Sequence, residues 1–279
     1  MSYKSLVTVV RRTGPDTDCL TTTAALCEAW DAHLDVLALG TDRLQPGAFY
    51  AGAAAVSIQA SMEDAIEEAK VAEVAARSIL DGQLFGWSTT AAVAQIGAIS
   101  QLVARHAGLS DLVVLPAPYG EQRNVEDVAV LEAALFSTRT PLLVLPENAP
   151  MSPRPERVVV CWNQSSEALT AIRAAMPILK TAKVVDITII DPPEHDPERS
   201  DPGGQLAEML SRHGVAAEIS VLARTMPRIS DVVLRHVSET GADLVVMGAY
   251  GHSRFREAIL GGATRNMLAD ATTPVLMAH

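Results

Sequence analysis

The sequence predicts an α/β protein made of two tandem doubly wound five-stranded parallel-sheet domains, Rossmann-like in class. Three observations lead there: β-rich runs alternate with helical patterns, the runs are apolar on both faces, and the pattern occurs twice. Consecutive apolar residues such as Leu112, Val113, Val114 and Leu115 suit a parallel strand covered by helices on both sides. Strand–helix alternation then implies right-handed crossovers within one sheet.

In the first repeat the strands are expected at Ser5–Val10, His33–Leu39, Leu84–Ser88, Asp111–Leu115 and Pro141–Leu145. The second repeat places them at Arg157–Trp162, Lys183–Ile190, Ala216–Leu222, Asp243–Met247 and Pro274–Met277. Between them, Ser61 is expected to cap a helix carrying Met62, Ile66, Ala69, Ala76, Ile79 and Leu80, with Gly82 as its stop. Ser165 is expected to open another, with Leu169, Ile172, Met176 and Leu179 inward and a kink at Pro177.

The repeats align on their endings. Asp111–Val114 recurs as Asp243–Val246, an offset of 243 − 111 = 132, and Thr140–Val144 recurs as Thr273–Met277, an offset of 273 − 140 = 133. The first strands are offset by 157 − 5 = 152 residues, so the first copy carries extra residues, expected around Thr41–Ser61. A proline-rich stretch, Pro146–Pro155, continues neither sheet. The parse is a first domain over 1–148, a linker over 149–155 and a second domain over 156–279.

Composition narrows the function classes. The chain has 279 residues, 48% of them apolar and 4% aromatic, enough for two cores built from Ala, Val, Leu and Ile. Its net charge is −11, which argues against a nucleic-acid or anionic-membrane partner, since both require a basic face. Cys19, Cys27 and Cys161 are too few and too scattered for a disulfide framework or a metal site. The longest charge-free stretch, Gly82–Ala104, holds seven Ser, Thr and Gln residues and does not read as a membrane span. The amino-terminal MSYKSLVTVVRR lacks the order of a signal peptide. A cytoplasmic protein is expected.

Chemistry concentrates after the fourth strand of the second repeat, in Gly248-Ala-Tyr-Gly251-His-Ser-Arg254-Phe-Arg256-Glu-Ala-Ile-Leu-Gly261-Gly262-Ala263-Thr264. Glycines at a strand end let backbone amides approach an anion, and a helix starting near Gly262 aims its positive dipole end at a phosphate. Arg254, Arg256 and Arg265 face one acid, Glu257. That local excess is out of character: the first repeat nets −9 (9 basic, 18 acidic) and the second −2 (13 basic, 15 acidic). The competing reading is a pair of tight turns at a strand–helix joint.

The spacing G-x2-G-x9-G after Asp-Leu-Val-Val, followed by a helix and a Thr-Pro-Val-Leu strand, resembles the universal stress protein family. Over essentially the whole chain the two repeats resemble its tandem members. That resemblance implies an adenine-nucleotide site for ATP in the second domain, action through protein partners, and domains paired edge to edge through their last strands. It leaves homodimerisation open. Gly248, Gly251 and Gly261 match the loop glycines, with His252, Arg254, Gly262, Ala263 and Thr264 beside them. Two positions depart from the pattern. Gly262 stands where Ser or Thr usually follows the third glycine, with Thr264 two residues on. Asn163 stands where an acid is usual after the first strand, keeping an acceptor but losing the charge.

The first repeat has no spaced glycines after Leu115. Pro116 and Pro118 lack the N–H a phosphate needs, and Arg11 and Arg12 fill the acidic position. It reads as structural, its arginines solvated or paired with Asp16 or Asp18. The Asp191–Glu198 run gathers ligand residue types but reads as an exposed loop, so no metal is assigned. His252 and Tyr250 are open between ligand contact and ordinary loop roles. No Ser/His/Asp order, lysine-bearing P-loop or carboxylate pair is readable, so no catalytic residue is assigned and at most weak ATP hydrolysis is expected. Two functions remain: a nucleotide-binding stress-response protein, or a nucleotide-free interaction module whose glycine loop is vestigial.

Overall fold

The computed structural model describes residues 2–11, 14–43, 54–147, 149, 151–192, 201–249 and 262–279. It is a mixed α/β protein of ten mostly parallel strands. Two compact units divide it, Tyr3–Thr140 and Pro141–His279.

In the first unit β1 (Ser5–Val10), α1 (Pro15–Trp30), β2 (His33–Asp42), α2 (Ala54–Leu80), β3 (Trp87–Gln95), α3 (Ile99–Ala107), β4 (Leu112–Pro116) and α4 (Val125–Ser137) follow in order. Its strands are parallel, ordered β3-β2-β1-β4. The core is small, as the aromatic-poor composition requires: Ala65, Ala69, Ala72 and Ala76 line the buried face of α2. Gly40 of β2 lets that helix come close, because a Cβ there would overlap Ala65 O and lie 2.8 Å from Ala65 C.

The second unit contains β5 (Leu142–Leu145), β6 (Arg157–Cys161), α5 (Ser166–Leu179), β7 (Val184–Ile190), α6 (Gly204–Arg212), β8 (Ala217–Leu222), α7 (Ile229–Thr240), β9 (Leu244–Gly248), α8 (Gly262–Asp270) and β10 (Val275–Ala278). Strand order is β5-β10-β9-β6-β7-β8. β5 lies antiparallel to β10, pairing Val144 with Val275 and Leu142 with Met277; the other pairings are parallel. The last strands of the two repeats therefore meet, and this sheet carries one strand more than its own repeat supplies.

Two expectations are corrected. Ser61 does not cap α2: it lies inside the helix, and its Oγ donates to Asp42 Oδ1 at 2.6 Å. The third strand runs over Trp87–Gln95 rather than Leu84–Ser88, and Leu84 is exposed. Pro177, expected as a kink, lies inside α5, which continues to Leu179. Among the described residues no helix is long and apolar enough to cross a membrane.

Candidate functional site

The second unit's strand order reverses between β9 and β6, since the chain leaves β6 toward β7 and later returns to β9 on the other side. A crevice opens at such a point, at the carboxyl ends of the strands. Two sequence segments reach it: the loop from β6 into α5, and the loop from β9 into α8.

The first segment is ordered by its own polar groups. Asn163 Oδ1 accepts from Ser165 N at 3.2 Å, and Ser165 Oγ accepts from Ala168 N at 3.1 Å as the α5 cap. Gln164 between them takes a left-handed conformation, φ 62°. Asn163 is exposed. Glu167 in the first turn was not singled out by the sequence. Its backbone N–H, then the hydroxyls of Ser166 and Ser165, hold its carboxyl below the usual range, so a negative charge sits four residues beyond Asn163. The signal was legible, because an acid in the first turn after a serine cap is the ordinary complement to a helix dipole.

The second segment begins at Gly248, whose missing side chain is needed by the fold. A Cβ there would overlap Ala168 N and lie 2.7 Å from Glu167 C. The next residue, Ala249, is pinned from both sides: its N donates to Ala278 O at 2.9 Å, and its carbonyl lies 3.0 Å from His279 Nδ1. Gly251, His252, Arg254 and Gly261 fall outside the described residues. At the start of α8, Gly262 and Ala263 are exposed and a Cβ on Gly262 would meet nothing within 4 Å. Thr264 turns inward and is buried. Of the candidates, Asn163 and Gly248 thus stand at the ends of neighbouring strands, and Gly262 and Ala263 are exposed in the first turn of α8, with nothing within 4 Å of a Cβ on Gly262 among the described residues.

Deeper in this unit His236 Nε2 on α7 lies 2.7 Å from Asp186 Oδ2 on β7, both buried. Thr188 Oγ1 adds a longer bond of 3.4 Å to the same carboxylate. Burial, reinforced by the Asp186 charge, pushes the Cys161 thiol up to about 12, so it is no thiolate nucleophile near neutrality.

The corresponding end of the first unit is filled by ion pairs. Arg11, expected to be solvated or paired with Asp16 or Asp18, is buried. Its guanidinium grips Glu126 and Asp127 in the first turn of α4, with Nη1 2.9 Å from Asp127 Oδ1. Its backbone N–H also donates to Asp16 Oδ2, at 3.0 Å. Arg123 Nη1 lies 2.6 Å from Asp16 Oδ1, and Arg43 Nε 2.6 Å from Glu126 Oε1. Asp127 also closes the α4 capping box by accepting from Asn124 N at 2.7 Å. Among the described residues no cluster of His, Cys, Asp or Glu gathers to hold a metal. Of the Asp191–Glu198 run, all but Asp191 and Pro192 lie outside them.

Comparison with known proteins follows this geometry. The family model described as the universal stress protein family matches residues 155–279, from β6 to the last residue. Residues 155–279 are similar to the universal stress protein family. Universal stress protein Slr1230 of Synechocystis is 28% identical over 90 residues, 32% of this chain and 30% of its own length; the match spans about a third of that relative. A universal stress protein structure from Archaeoglobus fulgidus matches at a TM-score of 0.73 and 13% identity, covering 98% of this chain and 97% of that one. A Pseudomonas aeruginosa protein described as functionally unknown matches at 0.60 and 12% identity, covering 99% and 92%. Those two likenesses span both units and establish the fold shared with them. The family-model match lies within the second unit.

Proposed function

We propose that the second unit binds an adenine nucleotide, ATP first among them, and that the chain acts in the cytoplasm through protein partners rather than by turnover. The observation that supports this reading is the reversal of strand order between β6 and β9, with Gly248 ending β9, Asn163 following β6 and the first residues of α8 exposed. Exposed amides at Gly262 and Ala263 suit phosphate oxygens, which helix amino termini favour. Glu167 supplies the charge that Asn163 lacks, in reach of a ribose or a counter-cation. His252 and Arg254 are assigned to the phosphates by their place in the glycine loop. The first unit is read as structural, because Glu126 and Asp127 already neutralise the arginines at the equivalent strand ends.

A second reading, the nucleotide-free interaction module, is favoured by two details. Asn163 Oδ1 is engaged by Ser165 N, and Thr264 is turned into the core. Calorimetry with ATP, ADP and AMP separates the two. Binding that weakens at least tenfold, about 1.4 kcal/mol, in Gly251→Val with circular dichroism unchanged supports the nucleotide site. No heat at millimolar ligand would leave the interaction module.

A further inference from the structure

The third strand of the first unit has an unguarded edge. β3 is nine residues long, Trp-Ser-Thr-Thr-Ala-Ala-Val-Ala-Gln, without a charge or a proline, inside the charge-free stretch Gly82–Ala104. It pairs with β2 in parallel register, Leu34 against Trp87, and Leu34 N donates to Gly86 O at 3.0 Å. In a parallel ladder the residues that bond the neighbour alternate along the strand. The even-numbered residues of β3 therefore serve β2. The N–H and C=O groups of Trp87, Thr89, Ala91, Val93 and Gln95 point the other way, where no described strand lies. Edges of this length are ordinarily blunted by lysine, proline or a bulge. The terminal strand of the second unit, β8, shows the ordinary condition: six residues, with Glu218 paired to Arg157.

A second observation lies on the helix above the same edge. Thr89 Oγ1 donates to Glu73 Oε1 at 2.8 Å, and the Arg77 guanidinium stands 6.0 Å from the Trp87 ring centroid. Glu73 and Arg77 thus mark the flank of α2 that overlooks β3. Ile66 and Met62, two and three turns before Glu73, share that flank at 3.6 residues per turn. They remain 39% and 41% exposed, apolar side chains on the flank of α2 that faces an edge with no strand beside it among the described residues.

We propose that β3 is a dimerisation edge, on which two copies of this chain pair antiparallel through Trp87–Gln95. A two-fold axis at Ala91 opposes Ala91 with its own copy, Thr89 with Val93 and Trp87 with Gln95. Each opposed pair exchanges two backbone bonds, and no like charges meet. Such an axis keeps α2 of both copies on one face of the joined sheet, bringing Met62 and Ile66 toward the other copy. At a net charge of −11, this uncharged stretch is where two chains approach against least repulsion, and it is self-complementary where an unrelated peptide need not be.

Light scattering on the full chain up to about 100 µM, well above the Kd of a specific dimer, is expected to give twice the chain mass. Ala91→Pro removes an outward N–H and no bond to β2, and should weaken the dimer at least roughly tenfold, about 1.4 kcal/mol, with circular dichroism unchanged. Ala91→Lys and Ala91→Glu, each alone, should be monomeric, and their equimolar mixture should recover the dimer. A monomeric parent chain overturns the proposal. So does a dimer that survives all three substitutions, or a lysine–glutamate mixture that stays monomeric.

Discussion

The Arg11 guanidinium holds Asp127 across the carboxyl end of β1, with Nη1 2.9 Å from Oδ1 and both side chains buried. The same guanidinium holds Glu126, so one cation neutralises two carboxylates presented by the first turn of α4. Side chains of the first unit thereby occupy the strand ends at which its tandem counterpart is proposed to receive phosphate.

Removing that cation should be costly. Arg11→Met leaves Glu126 and Asp127 buried without their main partner, a loss on the order of 3–5 kcal/mol. Arg43→Met removes a half-exposed arginine from the same Glu126 and should cost within about 1 kcal/mol. Urea denaturation of both variants checks the ranking, and equal midpoints would show that the buried pairs do not hold the first unit together.

Gly248 and Gly262 should respond oppositely to one methyl group. Gly248→Ala drives a Cβ into the backbone of Ala168 and Glu167 and should lower stability by about 1–3 kcal/mol. Gly262→Ala meets open space and should be neutral or slightly stabilising, by at most roughly 1 kcal/mol. Thermal melts read both. A destabilised Gly262→Ala would mean that α8 starts in a conformation only glycine tolerates.

Thiol chemistry offers a third check. Burial pushes Cys19 and Cys27 up to about 12, with the Asp16 charge adding to the shift at Cys19; Cys161 is likewise raised to about 12. Iodoacetamide at pH 8 should leave all three unmodified in the native chain and alkylate all three in urea, as read by intact mass. Rapid native labelling at Cys161 would place a thiolate beside the proposed site.

A pH prediction follows from Glu132 on α4, whose pKa burial raises. The folded state then binds a proton more readily than the unfolded state. The associated stability is fully present below the ordinary carboxylate pKa and is lost as pH rises through the folded value. Glu132→Gln should therefore raise the melting temperature at pH 7 and leave it unchanged at pH 3. A stabilisation that persists at pH 3 would trace to packing instead.

Parallel strands were legible because burial on both faces leaves an unbroken apolar run: β1, β4, β6 and β9 lie within a residue or two of where such runs place them. The α5 cap was legible because Ser165 acts on its own neighbours. β3 was displaced because an edge strand needs no such run; its Ser, Thr and Ala residues carry a weak signal that only pairing with β2 resolves. The Arg11 partners Glu126 and Asp127 were not legible because they are more than a hundred residues away, whereas Asp16, which its backbone N–H does reach, is near in sequence. At the candidate site, the glycine spacing was visible, but the demand of α5 for Gly248 was not. A close approach between a strand and a helix leaves no periodicity in the chain.

The antiparallel pairing of β5 with β10 also orders the events of folding. Val144 and Val275 are 275 − 144 = 131 residues apart, so the contact closes a long loop and contributes heavily to the mean sequence separation on which folding rate depends. During synthesis β5 emerges from the ribosome well before β10. At roughly 5–20 residues per second, several seconds or more separate the two strands. The register that joins β5 to the second unit is therefore a late event of folding, and deleting Val275–Ala278 would remove it while every earlier strand remained.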